Sequence, residues 1–213
     1  MPTPAIKICG ISTPDALEAA IRARAAYAGF VFFAKSPRNV SPAQAAELGA
    51  RAQGRIQRVG LFVDADEGTI AEAVDAAGLD VLQLHGKESP ERAAQLRSRF
   101  GLPVWKAMPI ASIGDVARAH VYAGAADLML FDAKTPTGAL PGGMGLSFDW
   151  SLVAHWNGPL KWGLAGGLTA ENVGHAIALT GAPLVDTSSG VESAPGVKDT
   201  GKIAAFCAAA RTA

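Results

Sequence analysis

The sequence predicts an α/β fold, a single closed (β/α)8 barrel of the TIM type spanning residues 1–213, and three observations carry that expectation. Eight short β-rich runs alternate with stretches of helical period. The units recur every ~20 to 30 residues, and about eight of them close a parallel barrel, whereas five or six would suggest an open doubly wound sheet. With 213 residues, 49% of them hydrophobic, the chain can bury one sizeable core.

The elements follow in order. "IKIC" is the first strand run, and Thr13 ahead of Pro14 and Asp15 is a helix start for "TPDALEAAIRARAA". Ala16, Leu17, Ala20 and Ile21 share one face of that helix, and Gly29 in "AAYAGF" is expected to end it before the strand "GFVFF". Ser41 before Pro42 opens the next helix, followed by the strand "RVGLFV" and a helix stopped by Gly78. "VLQLH" comes next, then a helix started by Ser89, Pro90 and Glu91, then the strands "VWKAM" and "LMLFDA". The glycine-rich stretch "TPTGALPGGMGLSFDW" precedes an expected helix and reads as a mobile active-site loop. "KWGLAG" and "LVDTSS" complete the strands, and "IAAFCAAA" is an apolar helical run.

Composition excludes several classes of function. Lys plus Arg equals Asp plus Glu at 19 each, so neither a nucleic-acid groove nor a polybasic membrane contact is expected. Runs such as "AGFVFFA" are far shorter than the ~20 residues needed to span a bilayer. "MPTPAIKICG" lacks the pattern of a signal peptide, so the expected location is cytoplasmic. Cys9 and Cys207 lack metal-type or redox-type spacing, and both are expected as free thiols. His120, His155 and His175 are scattered without ligand spacing, so no metal site is expected. Neither a dinucleotide fingerprint after the first strand nor a P-loop is present.

Barrel chemistry sits where strands end, so the strand ends are the residues to read. In order they carry Cys9, Arg38, Asp64, Gln83 with His85, Lys106, Asp132, Gly166 with Gly167, and Asp186 through Ser188, Ser189 and Gly190. Backbone N–H groups at Gly166, Gly167, Ser188, Ser189 and Gly190 suit a phosphate after the last two strands. Asp132 ends an apolar strand, a setting that favours a protonated carboxyl and a general acid, unless it pairs with Lys7, Lys106 or Lys134. Cys9 is the matching base or nucleophile, and Lys7 shares its side of the strand, where an ammonium would lower the thiol pKa. Arg38 suits a bidentate contact with a carboxylate.

Taken together, "KICGIS", "GFVFFAKSPRNVS", "VGLFV", "LQLHG", "FDAKTP", "GGMGLSFDWSL", "LAGGLTAENV" and "DTSSGVESAPGVKD" resemble the phosphoribosylanthranilate isomerase family, barrel enzymes of tryptophan biosynthesis, from Ile6 to about Lys202. The resemblance implies an Amadori rearrangement without a cofactor, acting on a phosphorylated sugar-anthranilate. It implies Cys9 as general base, Asp132 as general acid and Arg38 on the anthranilate carboxylate. Gln83, His85 and Asp186 join the glycine and serine loops as candidate substrate-binding residues. Ala165 stands where serine is common in the family, and Ser12 where threonine is usual. Pro195 and Lys198 fit the family's tail. The related histidine-pathway rearrangement uses two aspartates, so Cys9 on the first strand favours the tryptophan substrate. The expected assembly is a monomer or homodimer.

Two rival readings remain at this point. Cys9 with His85 as its base would make a thiol hydrolase, which requires a covalent intermediate. A non-catalytic phospho-ligand binder on the same barrel would need neither Cys9 nor Asp132.

Overall fold

Residues with period-two burial and residues with helical period alternate along the chain, and each set finds its own layer. A computed structural model of the chain describes residues 3–135, 142–154 and 156–213. The strands are β1 Ala5–Cys9, β2 Tyr27–Phe32, β3 Gln57–Phe62, β4 Val81–Leu84, β5 Val104–Ile110, β6 Leu128–Ala133, β7 Lys161–Leu164 and β8 Leu184–Thr187. They form a closed barrel in sequence order, all parallel, with β1 pairing β8 to complete the ring. Between and after them lie α1 Pro14–Arg22, α2 Pro42–Ala52, α3 Glu67–Ala77, α4 Pro90–Phe100, α5 Ile113–Arg118, α6 Val173–Thr180 and α7 Thr200–Arg211. A small antiparallel hairpin, β9 Glu192–Ala194 and β10 Val197–Lys198, follows β8.

Alternation along each strand separates two apolar layers. Val59, Val81, Trp105, Leu128, Leu130 and Leu184 pack inside the barrel, where Tyr27 and Trp105 meet edge to face. Their neighbours Ile6, Ile8, Leu82, Met129 and Val185 face outward against the helices, joining Leu17, Leu48, Phe206 and others. The same alternation puts Lys7 and Cys9 inward on β1, and the register sets Lys7 beside Asp186 and Cys9 beside Gly29. Fixed alternation and register thus decide which polar groups meet in the interior.

The capping expectations hold at Thr13, Ser41 and Ser89, whose side chains accept from Ala16, Gln44 and Arg92 N–H with proline in the first turn. Gly78 ends α3 in the left-handed conformation, with φ +58°. Gly29 departs from its expected role. It lies inside β2, and α1 ends earlier at Arg22, with Arg24 taking the positive φ of 54°. Between β6 and β7 only a short 3-10 turn, Trp150–Val153, is present among the described residues, with Asp149 accepting from Ser151 N–H, where a full helix was expected. The glycine-rich stretch expected to be mobile falls partly outside the described residues, at 136–141, as does His155.

Candidate active site

Because all eight strands run the same way, the inward residues near their carboxyl ends converge on one cavity. Cys9, Arg38, His85, Asp132, Gly166, Gly167, Asp186, Ser188, Ser189 and Gly190 all line it, with Gly142 through Leu146 from the β6–β7 connection and an apolar wall of Val31, Phe33, Leu61 and Val63. Strand-end reading recovered the charged members, Cys9 and the glycine and serine loops, but not Ser36 or Thr135. The apolar wall was missed, although the period-two pattern of β2 and β3 carries its signal.

Three strand-end residues do not reach the cavity. Gln83 is fully buried one layer below His85. Lys106 points out of the barrel, where Nζ donates to Leu84 and Gly86 carbonyls and pairs with Glu88 at 3.1 Å, because its neighbours Trp105 and Ala107 take the inward positions of β5. Asp64 accepts from Lys87 N–H and its own N–H donates to Glu88, which ties the β3 and β4 loops together.

Asp132 is held by its surroundings on both oxygens. Oδ1 accepts from Ala133 N–H at 2.7 Å, and Oδ2 lies 3.2 Å from His85 Nε2. On the far side of the ring, Gln83 Nε2 is 3.1 Å from His85 Nδ1. The Gln83 amide and the His85 ring thus form a chain of polar contacts that ends on Asp132. Gln83 therefore orients His85, and His85 orients Asp132. With both ring nitrogens engaged in this way, His85 is not set up as a base for Cys9. Among the described residues none of the three lysines considered as partners pairs with Asp132: Lys7 pairs with Asp186, Lys106 with Glu88, and Lys134 is exposed.

Cys9 is buried at the end of β1 with its thiol on the cavity. Burial pushes the thiol above its ordinary value, and the ammonium of Lys7 opposes that rise without reversing it. The lowered thiol expected from Lys7 is thus corrected: the cation acts in the expected direction, but desolvation outweighs it. Lys7 is fully buried, with Nζ 2.9 Å from Asp186 Oδ2. Burial works to lower its pKa, yet the Asp186 carboxylate beside it outweighs that and holds Lys7 above the ordinary lysine value, as one half of an ion pair.

Arg38 makes the bidentate carboxylate contact its chemistry suggested, but with a carboxylate of its own chain. Nε and Nη2 donate to the two oxygens of Glu192 at 2.7 and 2.8 Å, and Nη2 also donates to the Gly143 carbonyl. Glu192 further accepts from Lys198 Nζ at 2.8 Å, folded back by the β9–β10 turn. Burial works to raise the Glu192 carboxyl, but Arg38 and Lys198 together hold it below the usual range. Nη1 is the arm of Arg38 that donates to no described residue. The stem of Arg38 fills the space beside Gly10, whose φ is +76° and where a Cβ would lie 2.6 Å from Arg38 Cδ. The room at Gly10 serves Arg38.

The β7 and β8 loops form a concave backbone wall. Gly166 and Gly167 both have positive φ, 83° and 65°, and among the described residues neither N–H donates to a backbone or side-chain acceptor. Opposite them, Ser188 leads into the 3-10 turn Ser189–Val191. Unspent N–H groups on adjacent turns make an anion cradle. Among the described residues no group of three or more His, Cys, Asp or Glu is placed to hold a metal, and no described helix is long and apolar enough to cross a membrane.

A thiol facing a carboxyl across a barrel mouth, with an anion cradle on the last two strands, is the geometry against which known proteins can be compared. The family model for N-(5'-phosphoribosyl)anthranilate isomerase matches residues 6–209. An N-(5'-phosphoribosyl)anthranilate isomerase of Paramagnetospirillum magneticum is 52% identical over 207 residues, covering 97% of this chain and 96% of the relative. The phosphoribosyl anthranilate isomerase of Thermotoga maritima superposes with a TM-score of 0.89 at 34% identity, covering 99% of this chain and 100% of that one. A structure of such an isomerase in complex with reduced 1-(o-carboxyphenylamino)-1-deoxyribulose 5-phosphate matches with a TM-score of 0.86 at 32% identity, covering 99% and 100% of the two chains. Sequence motifs, barrel and relatives agree across nearly the whole chain, which belongs to the N-(5'-phosphoribosyl)anthranilate isomerase family, the isomerases of tryptophan biosynthesis.

Proposed function

We propose that this isomerase carries out the Amadori rearrangement of N-(5'-phosphoribosyl)anthranilate to 1-(2-carboxyphenylamino)-1-deoxyribulose 5-phosphate with Asp132 as general acid and Cys9 as general base. Asp132 gives its proton to the ribose ring oxygen, and the furanose opens to a Schiff base. The Cys9 thiolate then takes the proton from C2', leaving an enolamine that tautomerises to the ketone. The observation that carries these roles is the placement of Cys9 and Asp132 on the inward faces of β1 and β6, lining one cavity.

The remaining site residues divide by what they can touch. Gly166, Gly167, Ser188, Ser189 and Gly190 hold the phosphate. Arg38 offers Nη1 to the anthranilate carboxylate while Glu192 keeps the rest of the guanidinium in place. Gln83 acts through His85, and His85 through Asp132. Asp186 acts through Lys7. The reaction uses no cofactor or metal, and the chain works in the cytoplasm as one barrel domain, a monomer or homodimer, without nucleic-acid or membrane partners.

The decisive experiment follows the loss of fluorescence of phosphoribosylanthranilate, generated in situ, on adding purified protein. Wild-type protein consumes it. A folded Cys9→Ala or Asp132→Asn variant with near-normal turnover would remove the role assigned to that residue.

A further inference from the structure

The cavity's acid is braced by His85, whereas burial works against forming a thiolate at its base, Cys9. The inward face of β1 offers the compensating group. Lys7 lies two residues before Cys9 on that face, and Asp186 is its lateral neighbour on β8. A Cβ added at Gly29 would lie 3.0 Å from Cys9 Sγ and 3.3 Å from Lys7 Cε, so both side chains flank the gap that this glycine leaves on β2.

The hydrogen-bond inventory of the pair is incomplete. An ammonium has three N–H donors. Lys7 directs one to Asp186 Oδ2, and its ammonium lies within hydrogen-bonding reach of Cys9. Asp186 Oδ1 is buried without a partner among the described residues. A full ion pair buried for stability alone would have its remaining donors and lone pairs satisfied. Here the ammonium turns toward a sulfur that must become negative during turnover.

We propose that Lys7 is a positioning residue for the base: its buried ammonium, held in place by Asp186, stabilises the Cys9 thiolate. Cys9 releases its thiol proton to solvent at the cavity, and Lys7 keeps its own proton throughout. Asp186 has two opposed effects, anchoring the cation while its own charge disfavours the thiolate. The other titratable and charged groups around Cys9 are Arg38 after β2, Lys198 from β10, and Asp132 and His85 across the cavity. None of these shares a strand face with it as Lys7 does. The proposal rests on Cys9 as the base, yet the thiol can be read without turnover.

The test titrates Cys9 by its ultraviolet thiolate absorbance against pH, with the Cys9→Ala protein subtracted to remove Cys207. Lys7→Met should raise the midpoint by about one pH unit or more, and lower kcat at neutral pH by roughly tenfold or more while KM changes by less than about threefold. Asp186→Asn should move the midpoint the opposite way, since the amide oxygen still accepts from the Lys7 ammonium and only the competing negative charge is lost. General loosening of the barrel would not give shifts of opposite sign. A folded Lys7→Met protein with the wild-type midpoint would overturn the proposal, as would an unchanged or raised midpoint in Asp186→Asn, which also serves if Lys7→Met does not fold. If Cys9→Ala instead kept its turnover, the base role itself would fail, and the midpoints would still show whether Lys7 governs the thiol.

Discussion

Cys9 and Cys207 are the chain's two thiols, and the contrast between their surroundings separates a buried cysteine from a working one. Both are buried, at 5% and 0% exposed, so exposure does not distinguish them. Burial pushes both thiols up, that of Cys207 to about 11. Cys207 sits in α7 with Ile203, Phe206 and Ala210, in the outer layer between helices and barrel. Cys9 sits on the inner face with a buried ammonium behind it and a cavity in front. An apolar outer layer offers a thiol only desolvation. The barrel interior, where eight strands bring their inward residues together, can place charge beside it.

The widest separation between the two should appear in turnover. Cys9→Ala and Asp132→Asn are each expected to lower kcat by about a thousandfold, ~4 kcal/mol of barrier, with modest change in KM. Cys207→Ala should leave both parameters within about twofold, and steady-state kinetics on the three proteins would settle it. Next in size is Arg38→Met, which removes the Nη1 contact and should raise KM by about tenfold. An unchanged KM would remove Arg38 from carboxylate binding. Because Glu192 keeps Lys198 as a partner, the variant should stay folded at assay temperature.

A pH-dependence of stability should mark Cys207 in turn. Its folded pKa of about 11 lies above the reference 9.0, so the folded state holds the proton more tightly. That contribution is fully present below the unfolded value and is lost as pH rises through the folded one. Urea denaturation of wild type against Cys207→Ala should therefore show an extra loss of stability in the wild type between about pH 9 and 11. The smallest effect is expected on the outer surface, far from either thiol. Ser41→Ala breaks the reciprocal cap with Gln44 at the start of α2 and should cost ~1 kcal/mol by thermal melting, with kcat unchanged.

Local chemistry explains why much of this site could be read from the chain. Strand-length apolar runs ending in a polar residue place that residue at a barrel mouth, and that reasoning found Cys9, Asp132, His85 and the glycine and serine loops. The same rule misplaced Lys106, because alternation gives the inward positions of β5 to Trp105 and Ala107, and it put Gln83 on the rim although it lies a layer beneath. Gly29 was misread because a glycine before a strand and a glycine inside one look alike in sequence; only the approach of Cys9 and Lys7 from β1 accounts for it.

What the sequence determined by itself is whatever depends on neighbours along the chain: strand and helix order, the capped starts of α1, α2 and α4, barrel closure from the count of units, and the family motifs. What only the tertiary structure decided is which distant charges meet. Lys7 and Asp186 are 179 residues apart, and Arg38 and Glu192 are 154 apart. No periodicity couples such positions. Their pairing comes from strand register and from the fold of the β9–β10 hairpin, and the balance between burial and those ion pairs sets whether the thiol at the mouth of β1 can carry charge.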